Sequence, residues 1–159
     1  MQISSDAVRD LVLSGACDAL EELDLTECSD MRDEVCMAVA ERCHLLRQFN
    51  ISWCWDITNA GMQAVVLSSP HLLLVNCTGV KRLTDLPFVD AHILLPHLRV
   101  LVAKSANSVS DELLGSLCDA IPELVAINYY GDRIGDDADA AWGSNSTGRI
   151  KVQRWTLEY

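Results

Sequence analysis

Basic residues are scarce in this 159-residue chain: 12 lysines and arginines stand against 23 aspartates and glutamates, a formal net charge of −11. Such a balance opposes the dense cationic surface that a phosphate backbone requires, so nucleic acid is set aside as a main partner. Long apolar runs are missing as well. Stretches such as Ala64 to Leu67 and His71 to Val75 fall far short of the ~18 residues of a membrane span, and no membrane association is expected. The opening residues Met1-Gln-Ile-Ser-Ser-Asp6 show neither the basic nor the apolar region of a secretory leader, so the expected location is intracellular, cytoplasmic or nuclear. No Cys-x-x-Cys pair occurs among the seven cysteines (17, 28, 36, 43, 54, 77, 118), which argues against a disulfide framework and a zinc site. Reduced, buried thiols are expected instead. A phosphate loop is lacking too, since Gly131-x-x-x-Gly135 is too short and has no lysine. Three sequons, at Asn50, Asn76 and Asn145, would matter only in a secreted protein.

What the chain does have is a period. Leu20-x-x-Leu23-x-Leu25-x-x-Cys28 returns 26 residues later as Leu46, Phe49, Ile51 and Cys54, then as Leu72, Val75, Cys77 and Val80. Two further steps give Leu98, Leu101, Ala103 and Ala106, then Leu124, Ile127, Tyr129 and Asp132. Regular self-similarity on this scale means stacked units that share one core. Within the units, Ile57-Thr58-Asn59, Leu83-Thr84-Asp85 and Val109-Ser110-Asp111 place a hydroxyl where it can cap a helix N-terminus. Apolar residues then recur at helical spacing, as in Met62, Val65 and Val66, or Leu113, Leu114 and Leu117. Pro70, Pro96 and Pro122 end those helices. Each unit therefore reads as strand, turn, capped helix and loop.

The expected architecture is an α/β single domain over 1–159: a partial first unit at 1–19, repeats starting near 20, 46, 72, 98 and 124, and a terminal strand at about 150–159. Val8, Leu11 and Val12 would form the apolar face of a first helix. Val152-x-x-Trp155-Thr-Leu157 repeats the strand pattern a sixth time, displaced by the loop Gly143 to Gly148. The N-terminal edge is expected to be covered by something outside the chain, or by a preceding segment of a longer protein.

Strand alternation assigns Leu23 and Leu25, with their equivalents, to the core, and leaves five outward rows: Glu22, Asp24, Thr26; Gln48, Asn50, Ser52; Leu74, Asn76, Thr78; Val100, Val102, Lys104; Ala126, Asn128, Tyr130. The character shifts from acidic to apolar along the array. Leu74, Val100, Val102 and Tyr130 make a candidate contact patch for a protein partner, with a covering terminal segment or ordinary surface variation as the alternative. Trp53 and Trp55 flank Cys54 and point away from the core, as interface anchors or as packing on adjacent turns. Asn50, Asn76 and Asn128 share a column, where their amides would bond each other or a bound peptide. With Lys104, the candidate partner-binding residues are Trp53, Trp55, Leu74, Asn76, Val100, Val102, Lys104, Asn128 and Tyr130.

Catalysis finds no support in this pattern. His44, His71, His92 and His97 lie in no motif with a serine, cysteine or carboxylate at catalytic spacing. Asp132, Asp136, Asp137 and Asp139 match a calcium loop only in charge, because Ile134 and Asp137 stand where a ligand and a glycine are needed. No cofactor and no metal are expected.

Taken together, Leu-x-x-Leu-x-Leu-x-x-Cys at a 26-residue period, with Cys54-Trp-Asp-Ile57-Thr58-Asn59 as the best match, resembles the cysteine-containing leucine-rich repeats of F-box/LRR proteins. The resemblance covers roughly residues 3 to 132. It implies a right-handed leucine-rich-repeat solenoid, a horseshoe arc with a parallel sheet on its concave face and helices on its convex face. It also implies a protein-interaction scaffold, with substrate recognition in an SCF-type ubiquitin ligase pathway as the expected role. In such relatives a separate F-box recruits a Skp1-type adaptor, and no F-box precedes the first repeat here. The alternative is a structural subunit of a larger assembly, such as an axonemal regulatory complex.

Overall fold

The computed structural model describes residues 4–135, together with the backbone of 150–152 and 155–157. Strands and helices alternate along the chain, and the fold is α/β, built on a six-stranded, mostly parallel sheet. Strands β1 (Glu22–Asp24), β2 (Gln48–Asn50), β3 (Leu74–Asn76), β4 (Val100–Val102) and β5 (Val125–Ile127) lie side by side in chain order, all parallel. From β1 to β4 the pairing steps by the sequence period, with Leu23 opposite Phe49, Phe49 opposite Val75 and Val75 opposite Leu101.

Among the described residues, α1 (Ser5–Leu11) precedes β1, and α2 (Asp33–Arg42), α3 (Asn59–Ser68), α4 (Ala91–Leu94) and α5 (Asp111–Ala120) connect the successive strands. Phe49, Val75 and Leu101 from the strands share one core with Val35 and Val39 of α2, Met62 and Val65 of α3, and Leu114 and Leu117 of α5. Each such side chain taken out of water contributes roughly 1.5–3 kcal/mol. Capping follows the hydroxyls. Thr58 accepts from the Ala60 N–H at 3.2 Å and Ser110 from the Leu113 N–H at 3.1 Å, and α3, α4 and α5 all stop before Pro70, Pro96 and Pro122.

Four expectations need correction. First, β5 pairs one residue early: Val100 faces Val125 and Val102 faces Ile127, so the outward residues of the fifth unit are Val125 and Ile127, and Ala126 turns inward. A one-residue slip moves every side chain of a strand to the opposite face. The slip is local, since Leu124 still occupies the core and the left-handed turn residues Glu27, Trp53, Gly79, Ser105 and Gly131 keep the 26-residue step. Second, the helix expected after Leu83-Thr84-Asp85 is cut short. Thr84 accepts from the Leu86 N–H at 3.2 Å, but a 3-10 turn over Leu86–Phe88 follows, and only one helical turn, α4, remains. Pro87 removes a backbone donor there and disfavours helical geometry at the residue before it.

Third, Leu11 is 55% exposed, whereas Val8 and Val12 pack on the core as expected. The chain leaves the α-helix at Leu11 through wider π-type turns over Val12–Ala16, and Gly15 sits at φ 84°. Leu11 itself lies in the regular helix, where at about 100° per residue it falls outside the stripe that Ser5, Val8 and Val12 turn to the core. Fourth, the terminal strand pattern does not add a sixth parallel strand. β6 (Arg133–Ile134) pairs antiparallel with β5, while β7 (Ile150–Val152) and β8 (Trp155–Leu157) form a separate antiparallel pair.

Candidate functional site

The face of the sheet opposite the main core carries the predicted apolar patch, and the patch is buried. Leu74, Val100 and Val102 are joined by Val125 and Ile127 in a second apolar cluster, distinct from the core between strands and helices, with none above 5% exposure. These side chains are not an open contact surface. Toward β1 the same face turns polar, and Gln48 donates to Glu22 at 2.9 Å.

The asparagine column also has a different job from the one expected. Asn50 and Asn76 each accept, through Oδ1, the backbone N–H two residues on, from Ser52 at 3.0 Å and Thr78 at 3.1 Å. They brace the turn that ends their own strand. Asn128 does the same for Tyr130 at 3.1 Å, takes a second N–H from Asp132 at 2.9 Å, and donates to the Asp111 carboxylate at 3.2 Å. Asn76 and Asn128 are buried, so neither amide is offered to a partner.

What remains exposed is the rim at the C-terminal ends of the strands. Trp53 (38%), Trp55 (52%) and Tyr130 (78%) stand on it, with Tyr129 meeting Tyr130 edge to face at 5.1 Å. Lys104 is half-buried, and its aliphatic stem passes beside Gly131. Trp53 is held by an arrangement that its own sequence neighbourhood does not reveal. Its six-membered ring sits over Gly79, where any Cβ would overlap the indole, and Gly79 has φ 71°. Trp53 and Trp55, with Glu27 and Ser29 from the preceding unit, line a cavity of about 480 Å³. Glu27, Ser29 and Gly79 were missing from the sequence-based site. The signal that could have found Glu27 and Gly79 is the 26-residue column they share with Trp53.

On the opposite rim a groove of about 430 Å³ is lined by Leu45, Arg47, His71, Leu73, His97 and Arg99 beside Glu21. Both arginines are engaged, Arg47 with Glu21 at 3.8 Å and Arg99 with Glu123 at 3.1 Å. All four histidines are exposed. Cys54 is fully buried and its thiol donates to the Leu25 carbonyl at 3.0 Å, and Cys77 bonds Val102 O at 3.1 Å. Burial raises both thiols to about 12, far from a nucleophilic thiolate at neutral pH. Among the described residues no group of three or more His, Cys, Asp or Glu side chains could hold a metal, and no helix is long and apolar enough to cross a membrane. Asp136, Asp137 and Asp139 of the acidic run, and the Asn145 sequon, lie outside the described residues. No protein-family model matches the chain.

Proposed function

We propose that this chain is a leucine-rich-repeat solenoid that serves as a protein-recognition scaffold without catalytic activity of its own. Four successive parallel pairings, three of them at the 26-residue step, support the solenoid reading and its horseshoe arc. The observation that carries recognition is the aromatic rim: Trp53, Trp55 and Tyr130 expose large rings at the strand ends. Isolated exposed apolar residues need no explanation, but tryptophans beside a cavity are the side chains that dominate protein interfaces. The partner is a protein that docks on this rim, with Lys104 between the two aromatic groups, and the net charge of −11 disfavours nucleic acid. The pathway reading is substrate recognition for an SCF-type ubiquitin ligase, inside the cell.

Native affinity purification of the wild-type chain and of a Trp53→Ala/Trp55→Ala variant tests both levels. The expected result is a co-purifying protein that the variant loses, together with a Skp1-type adaptor, and a longer half-life of the captured protein when the chain is depleted. Stoichiometric capture with no change in half-life would replace the ligase reading by that of a structural subunit. Capture unaffected by the double substitution would overturn the rim.

A further inference from the structure

We propose that the cavity between Trp53 and Trp55 is a pocket for a cationic side chain, arginine or lysine, presented by a basic segment of the protein partner. The proposal rests on the scaffold reading and specifies the chemistry of its contact. Two indoles and one carboxylate, Glu27, line the cavity. A guanidinium or ammonium is the group that both components favour, through the face of the ring and through ion pairing.

Glu27 is available for that purpose. Elsewhere several arginines reach an acid about one repeat away: Arg42 pairs with Asp18 at 2.9 Å, Arg47 with Glu21, Arg82 with Asp56 at 3.5 Å and Arg99 with Glu123. Glu27 has no ion-pair partner among the described residues, and its own column, Trp53, Gly79 and Ser105, contains no cation. Glu27, Trp53 and Ser105 hold left-handed conformations, φ 59°, 63° and 56°, at the turn position that Gly79 and Gly131 occupy in the other units. The overall charge of −11 then draws a basic segment toward the rim.

The test is an NMR titration of the full chain with N-acetyl-arginine amide, following the indole N–H signals, with the neutral isostere N-acetyl-citrulline amide as control. Arginine should shift the Trp53 and Trp55 signals saturably and citrulline should not. Glu27→Gln should weaken the arginine response about fivefold or more, the scale of one charge-assisted contact. Glu41→Gln, at an exposed helical acid away from the cavity, should leave the response unchanged. Equal responses to both probes, insensitivity to Glu27→Gln, or equal weakening by Glu41→Gln would each overturn the pocket. Backbone amide spectra establish that both variants are folded. Failure here with partner capture still lost in the tryptophan variant would sink the pocket alone, whereas retained capture in that variant sinks the rim reading itself.

Discussion

Helix-capping hydroxyls in this protein serve two units at once. Thr58 caps α3, and its hydroxyl and backbone N–H both donate to the Asp33 carboxylate of the unit before, at 2.6 and 2.8 Å. Ser110 repeats the arrangement with Asp85, at 2.7 Å for both contacts, while at Thr84 the backbone N–H donates to the Asn59 side-chain oxygen and the hydroxyl accepts from the Asn59 amide nitrogen, both at 2.9 Å. Asp33→Ala and Thr58→Ala should each cost about 1–2 kcal/mol in urea denaturation, and the double variant should cost less than the sum by about 1 kcal/mol. Additive losses would mean the two groups act separately. The same carboxylate explains Gly61, since a Cβ there would overlap Asp33. Gly61→Ala, which gains about 1 kcal/mol in an ordinary helix, should destabilise the wild type and do so less in the Asp33→Ala background, where only the Cα of residue 33, at 3.1 Å, still crowds the added methyl. Ser105, at φ 56°, gives the converse case: Ser105→Gly should raise stability by up to ~1 kcal/mol by relieving left-handed strain. The hydroxyls were legible as caps because capping is local. Their acidic partners were not, because Asp33 faces Thr58 only after β1 and β2 have fixed the register of their units.

At the scale of elements, β5 shows how tertiary contacts override a sequence period. The uninterrupted count places Ile127 and Tyr129 in the core; the strand instead turns Ala126 and Asn128 inward and adds Val125 and Ile127 to Val100 and Val102. The slip gives two β-branched side chains an apolar neighbourhood, and three hydrogen bonds satisfy the amide that it buries. The tyrosines stay exposed, where their hydroxyls meet water. One consequence is that Val102→Asp would not spare the fold. Val102 is 1% exposed, so the aspartate would be an unpaired buried charge, and thermal unfolding should show a loss of at least ~3 kcal/mol. A variant as stable as the wild type would mean that this face opens to solvent. The shortened α4 follows the same rule on a smaller scale, since Thr84 caps as its local sequence dictates and Pro87 then prevents propagation.

For the molecule as a whole, the buried thiols set a limit on alkaline stability. Burial raises Cys43 to about 11 and Cys54 and Cys77 to about 12, against an ordinary thiol value of 9.0. The native state therefore keeps protons that the unfolded chain gives up. The contribution is intact below about pH 9 and is lost progressively as pH rises toward 11 and 12. The urea midpoint should fall between pH 7.5 and pH 10, and Cys54→Ala, though less stable at both, should show a smaller fall; equal falls would show that this thiol is not kept protonated by the fold. The period, the order of strand and helix, the hydroxyl caps and the inward set from Leu25 to Leu101 follow from the residues alone, because each depends on local chemistry or on alternation within one unit. Tertiary structure alone decided the register of β5, the burial of Leu74, Val100 and Val102, the clamps between units, and the seat of Trp53 on Gly79. Those depend on which side chains stand opposite each other once the units stack, and a one-residue shift, invisible in the period, exchanges the two faces of a strand.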